Sequence, residues 1–261
     1  MRDVPALLFT SHKIAFPAKA GIRRSARSAV DKWVPAFAGN ARKKSFVVTT
    51  SASLQKREEF VPGVPESGVL GGVRVLDFGR YIAGPFCAAL LGDLGAEVIR
   101  IERLGGGEDR GFIPVGAGPE GGGAMFLAMN RNKRGMTLDP AAPKGREIVK
   151  KLVATADVVV ANLPPAVLRS LALDLDSLRA VKPDIILTTV TGFGAGGPLS
   201  HKHGFDGIGQ TMSGAVYLSG MLEQPIASKV PWVDFGTACL AAFGTLAALL
   251  ERGKSGHGQK V

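Results

Sequence analysis

The sequence predicts an α/β domain built on a doubly wound, Rossmann-like parallel sheet. Three observations carry that prediction. From Gly71 onward, short apolar runs alternate with longer stretches of helical period. The first three elements form a β-α-β unit within about thirty residues, the building block of a parallel sheet. The later strand runs are apolar at nearly every position, as strands covered by helices on both faces must be.

Val73 to Phe78, bounded by glycines, reads as the first strand. Ala83 to Leu94 is rich in alanine and leucine and stops at Gly95, a residue suited to a helix C-cap. Glu97 to Ile101 is the second strand, and Lys144 to Ala154 is an amphipathic helix. Asp157 to Ala161 is a short buried strand. Pro165 to Leu173 and Leu175 to Val181 are short helices, the first opening on proline, which the first helical turn tolerates. Asp184 to Val190 is another buried strand, and Phe235 to Arg252 is a helix. The longest apolar run, Phe235 to Leu250, has 16 residues, short of the roughly 20 that span a bilayer. Ligands of such sheets bind beyond the carboxyl ends of the strands.

Residues 1–62 read differently. They hold 12 Lys and Arg against 4 Asp and Glu, a net charge of +8 out of the chain's +10, with no strand or helix period. Three readings stay open for this basic tail: a disordered arm, an Arg-rich transit peptide, or a translated intergenic palindromic repeat from a start codon placed too early. Because the body is nearly neutral, the basicity does not make it a nucleic-acid binder. The two cysteines, Cys87 and Cys239, make no disulfide framework and fit a reduced, cytoplasmic setting. His12, His201, His203 and His257 lack zinc spacing with them, so no metal site is expected. The glycine clusters 104–108 and 116–123 read as flexible surface loops. The turn Gly79 to Gly84 lacks the dinucleotide fingerprint, and no P-loop occurs, which argues against a dehydrogenase or an NTPase.

Five blocks then follow in order: Gly71 to Phe78 with Ala83 to Phe86 and Leu91 to Arg103; Asn130 to Asp139; Ala156 to Asn162 with Leu168 and Arg169; Thr191 to Pro198 with Gly204 to Gln210; and Val233 to Gly236, closing on Arg252 to Gln259. Together they resemble the class III coenzyme A transferases of the CaiB/BaiF type, relatives of formyl-CoA transferases and α-methylacyl-CoA racemases. The resemblance runs from about residue 70 to 261 and implies the N-terminal part of that family's large domain. Family members run further, so the large domain is expected to be incomplete. The resemblance implies transfer of coenzyme A from an acyl-CoA to a carboxylic acid, with CoA thioesters as substrates and no permanently bound cofactor. It implies an interlocked homodimer for the full-length family, with no nucleic-acid or membrane partner.

The resemblance also assigns residues. Asp234 matches the nucleophile that forms an aspartyl-CoA thioester. Read without it, an aspartate ahead of a helix near Phe235 is simply an N-cap. Arg103, Leu138, Asn162 and Arg169 match positions lining the CoA site, and His203 is a candidate CoA contact. Arg131 and Lys133 lie in a basic block whose plain reading is a solvated turn. Two departures matter. Ala141 stands where some members have a lysine, so one phosphate contact is missing or supplied elsewhere. Phe205 stands where the racemases have an acid/base histidine, and a phenyl ring moves no proton, which disfavours racemase chemistry; Asp206 beside it is read as structural. Two further readings remain: a truncated, inactive fragment, and a CoA-binding module without turnover. The acyl donor and acceptor are not legible.

Overall fold

The computed structural model describes residues 68–112, 123–221 and 223–261. The basic tail 1–62 and most of the glycine cluster 116–123 lie outside the described residues. The elements follow in order: β1 (Arg74–Asp77), α1 (Ala83–Asp93), β2 (Glu97–Glu102), a 3-10 turn (Glu108–Gly111), α2 (Ala124–Met129), β3 (Lys133–Thr137), α3 (Pro143–Val153), β4 (Val158–Ala161), α4 (Pro165–Ser170), α5 (Leu175–Arg179), β5 (Ile186–Thr189), α6 (Asp206–Met212), α7 (Ala215–Leu218) and α8 (Trp232–Ser255). The five strands form one parallel sheet in the order β3-β2-β1-β4-β5.

Strand pleating divides the core. Val75, Val98, Val158, Val160 and Ile186 face α1 and α8, against Ala88, Leu91, Ala238 and Ala242. Leu76, Ile101, Val159 and Leu187 face the opposite side, against Val149 and Leu152 of α3, Leu168 of α4 and Leu178 of α5. Both faces are covered, so the fold is doubly wound as expected, and the unbroken apolar runs are explained. From β1 the chain winds through β2 to β3 on one side and through β4 to β5 on the other. The crevice between the carboxyl ends of β1 and β4 is therefore the topological switch point.

Helix ends are set locally. Gly95 takes φ 101°, a left-handed conformation that ends α1, while the Ala96 N–H bonds back to Leu91 O at 3.1 Å. Asp174 caps α5 by accepting the Ser177 N–H at 3.1 Å.

The helix α8 has 24 residues, longer at both ends than the sequence pattern suggests, and by length and composition it is apolar enough to cross a membrane. Ala238, Ala241, Ala242, Thr245 and Ala248 form its buried stripe. The small residues let it lie close to the sheet, and Thr245 Oγ1 meets Thr188 Oγ1 of β5 at 2.6 Å. After α8 the chain runs beside β5 and bridges it in parallel, Lys260 to Leu187, with the Leu187 N–H donating to Gln259 O at 3.0 Å. The helix therefore runs from the carboxyl edge of the sheet back to its amino edge, and its first turn sits at the ligand-binding edge.

One element departs from expectation. The basic block at Lys133 is not a solvated turn but the edge strand β3. Its charges and Gly135 hide it from any apolar pattern, because one neighbouring strand, Met136 packed on the core and the Lys133 side chain hold it. Lys133 is 2% exposed and donates to Asp77 Oδ2 at 2.7 Å, Pro85 O at 2.6 Å and Asn130 Oδ1 at 2.9 Å. All three partners are acceptors, so the group is an ammonium with every N–H used. Burial pushes the Asp77 carboxyl up, but Lys133 and Arg100 outweigh it and hold it below the ordinary aspartate range. Stability from that pairing is present above the ordinary aspartate pKa and is lost as pH falls through the lowered value. Removing one partner of a buried pair strands the other. We expect Lys133→Ala to lower the unfolding free energy by about 3–5 kcal/mol. Urea denaturation checks it, with exposed Lys150→Ala as a control changing stability by less than about 0.5 kcal/mol.

Candidate active site

The site starts from the loop that leaves β1. Asp77 Oδ1 accepts the Gly79 N–H at 2.7 Å. One residue on, Asn162, just past β4, grips the backbone of Arg80 from both sides. Its Oδ1 accepts the Arg80 N–H at 2.7 Å and its Nδ2 donates to Arg80 O at 2.8 Å. This clamp bridges the two strands that flank the switch point. It also fixes the identity of Gly84, where an added Cβ would stand 3.0 Å from Asn162 Oδ1. Tyr81 follows with φ 60°, a left-handed conformation unusual for a bulky residue. Its N–H donates to Asp109 Oδ2 at 3.3 Å, and Arg100 Nη2 holds that same carboxylate at 2.6 Å.

The ring of Tyr81 meets Phe112 and Phe205 edge to face, with centroids 5.9 and 6.0 Å away. Phe205 leads directly into Asp206, the first residue of α6. Asp206 Oδ2 accepts the N–H groups of Val233 at 2.8 Å and Asp234 at 3.1 Å, and its Oδ1 pairs with Gln210. The first turn of α8 is thus capped by a carboxylate from another helix. Asp234 is not an N-cap, the reading its place ahead of Phe235 gives without the resemblance. The helix begins at Trp232 with Pro231 ahead of it, so Asp234 is the third helical residue. Its carboxylate has no hydrogen bond or ion pair among the described residues and is only part-buried. Burial first, and Asp206 second, push its pKa up to about 6. At neutral pH it is mostly ionised and has no partner to hold it back, which suits a nucleophile.

The other expected residues lie along the same carboxyl edge, with different exposure. Arg103, one residue past β2, is exposed; it donates from Nε to Gly106 O at 3.0 Å and pairs with Glu108 at 2.9 Å. Such an exposed pair is weak enough for a phosphate to displace. Leu138, one residue past β3, bonds through its N–H to Glu102 O at 2.7 Å, but its side chain is buried in the core and does not line an open surface. Asn162 is committed to the Arg80 backbone. Arg169 lies exposed on α4, and His203 is exposed in the loop before α6. Neither has a hydrogen bond or ion pair to Asp234 or Asp206 among the described residues. That loop closes on a backbone contact, Gly192 against Gly204, where a Cβ on either would overlap the other's Cα. Ala141 is exposed, its N–H held by Asp139 Oδ1 at 2.9 Å. Of the glycine cluster 104–108, Gly107 is anchored rather than loose, its N–H donating to Glu102 Oε1 at 3.1 Å.

Sequence reasoning missed the charges beneath this surface. Arg100 and Asp77 are buried, and Glu102, also buried, takes both Arg110 Nε at 3.0 Å and Nη2 at 2.6 Å. A signal existed: an arginine and an aspartate inside otherwise apolar strands are costly unless paired. Cys87 is no rival nucleophile, since burial, with Asp77 adding to it, pushes its thiol up to about 12. Among the described residues no group of His, Cys, Asp and Glu is arranged to hold a metal.

Comparison with known proteins follows this geometry. The sequence model of CoA-transferase family III matches residues 70–261. A mouse (Mus musculus) succinyl-CoA:glutarate CoA-transferase is 40% identical over 191 residues, covering 72% of this chain and 43% of that protein. A succinate–glutarate CoA-transferase of Agrobacterium fabrum is 36% identical over 198 residues, covering 74% and 50%. The crystal structure of a CaiB/BaiF family protein from Brucella suis aligns with a TM-score of 0.71 at 36% identity, covering 74% of this chain and 52% of that one. The chain spans about half the length of the curated relatives it matches.

The electrostatics of the nucleophile candidate give a direct measurement. Carboxyl carbon NMR should find Asp234 titrating near 6, well above an ordinary aspartate. In Asp206→Asn the midpoint should fall, because a like charge is removed, yet stay above the ordinary value, because burial remains the larger cause.

Proposed function

The chain belongs to CoA-transferase family III, and from that premise we propose that it carries the nucleophile and part of the CoA site of an acyl-CoA:carboxylate CoA-transferase acting through Asp234. The observation that carries this reading is the unpartnered, part-buried carboxylate of Asp234 in the first turn of α8, at the ligand-binding edge of a doubly wound sheet.

The chemistry is a series of acyl transfers. The Asp234 carboxylate attacks the thioester carbonyl, the CoA thiolate leaves, and a mixed anhydride forms. The thiolate then attacks the aspartyl carbonyl and expels the donor acid, leaving an aspartyl-CoA thioester. The acceptor carboxylate attacks that thioester and releases the thiolate again as a second anhydride forms. The thiolate takes the acceptor's acyl carbon, giving the new acyl-CoA and free Asp234. One difficult exchange is divided into four easier steps, and each tetrahedral oxyanion calls for N–H donors. Arg103 is proposed to meet a CoA phosphate, for which a guanidinium fork is suited. Asn162 is proposed to act by holding the Arg80 backbone at the edge of the same crevice.

Several features support the surrounding proposals. The exposed stripe Leu240, Phe243 and Leu250 on α8 supports a homodimer or other assembly that covers it. Two free thiols, Cys87 and Cys239, support a reduced, cytoplasmic setting. Racemase chemistry is not favoured, because Phe205, in the histidine's place, packs on Tyr81 and carries no titratable atom.

Hydroxylamine trapping tests the nucleophile. Incubation with a panel of acyl-CoAs, including the succinyl-CoA named for the mouse relative, should convert Asp234 to a hydroxamate, a gain of about 15 Da expected for acyl-enzyme capture. Asp234→Asn should gain nothing, and an unlabelled, folded wild-type chain rejects the proposal. The labelling rate should fall as pH drops through about 6, since protonation removes the nucleophile. Separately, Arg103→Ala should weaken CoA binding by about tenfold in calorimetry, the scale of one charge-assisted contact.

A further inference from the structure

We propose that Tyr81, Phe112 and Phe205 form an apolar acyl subsite beside Asp234 that selects acyl groups with an aromatic or bulky apolar body over those bearing a second carboxylate. This rests on the reading of Asp234 as the acyl-accepting residue and names the substrate class of that site.

The first observation is strain with a destination. Tyr81 sits at φ 60°, a strained conformation for a bulky residue that persists only where the surroundings impose it. The surroundings do so here: Asn162 fixes Arg80, and Asp109 fixes the Tyr81 N–H. The result is a ring held between two others. Phe112 and Phe205 touch it edge to face and are themselves 50% and 61% exposed. Three aromatic rings packed only on one another would shield themselves better; these leave open ring surface where a ligand can stack.

The second observation is position. Phe205 is joined by one peptide bond to Asp206, whose carboxylate holds the Asp234 N–H at 3.1 Å. The Phe205 end of the ring cluster therefore adjoins the element that holds the first turn of α8.

The third observation is charge. Neither Asp206 nor Asp234 has an ion pair with a lysine or arginine among the described residues. Burial and Asp206 alone move the Asp234 titration, and both move it upward, the opposite of what a nearby cation does. Two arginines bonded into the Phe78–Tyr81 loop face elsewhere. Arg100 is taken by Asp77 and Asp109, and Arg80 Nη1 is turned onto the carbonyls of Phe78, Gly79 and Ile101. A second carboxylate on the acyl group would meet two anions and three phenyl-type rings. An uncharged aromatic acyl group would meet the rings without that repulsion.

Isothermal titration of the full chain with CoA, phenylacetyl-CoA and succinyl-CoA tests this, because the CoA part is common and cancels in the ratio. Phenylacetyl-CoA should bind at least about tenfold more tightly than succinyl-CoA, the scale set by covering one aromatic ring with others. Phe205→Ala, and separately Tyr81→Gly, which removes the ring while suiting the left-handed backbone, should each pull that ratio toward one. The affinity of CoA alone, read in each variant, separates a lost subsite from a lost fold. If CoA binds but the two thioesters bind alike, or the preference survives both substitutions, the subsite is overturned and the CoA reading stands. If CoA itself does not bind the folded chain, the functional reading falls and the subsite with it.

Discussion

The buried contact between Asp77 and the pair Lys133 and Arg100 holds together everything that makes this crevice a site. Asp77 ends β1 where the sheet changes winding direction. It needs compensation because burial pushes it toward the neutral form, and Lys133 supplies the nearer charge from the edge strand β3. The same ammonium takes Pro85 O, which fixes the opening of α1, and Asn130 Oδ1, which fixes the end of α2. Arg100 reaches Asp109, and Asp109 reaches Tyr81. Three stretches of chain, residues 77–85, 100–109 and 130–133, are tied together at one carboxylate. Such a buried pair contributes little net stability over an apolar replacement, but it fixes which geometry is adopted.

This also explains what the sequence reveals and what it conceals. The strands at Val75, Val158 and Ile186 are legible because both faces are buried and every position must be apolar. The strand β3 is not legible, because it sends inward only Met136 and the Lys133 side chain, and a lysine is inside only when a partner elsewhere neutralises it. No local pattern reports a partner 56 residues away. The helix start at Asp234 shows the same limit. The residue that reads locally as an N-cap falls within the helix because Asp206, from a different element, meets the N–H groups that a local cap would have met. Asp206 as a structural residue was legible from its place beside Phe205; its particular partners were not. Asn162 follows a strand and reads as a turn residue or a ligand contact, and only the fold brings it to Arg80.

Asp234 lies under opposed influences. The first turn of a helix favours a carboxylate, by some tenths of a kcal/mol to about 1 kcal/mol. Burial and the neighbouring Asp206 disfavour it more, and the net is the rise to about 6. A carboxylate raised this far is still largely ionised at neutral pH but is less stabilised by its surroundings than one paired with an arginine. For the proposed attack on a thioester that difference is useful, because a carboxylate deep in an ion pair must give up that pairing to react.

The contact between Gly192 and Gly204 separates two kinds of change in the chain. Because the two backbones touch, the excursion from Phe193 to His203 is pinched shut at its base. Whatever lies within the excursion can lengthen, shorten or change composition without moving the base, since loop length adds only slowly to the entropy of closure. Phe205 and Asp206, which begin just beyond the pinch, keep their bearing on α8. Change is thereby confined to a segment mechanically insulated from the Asp234 carboxylate, and that segment is the natural place to graft a new recognition loop onto this scaffold.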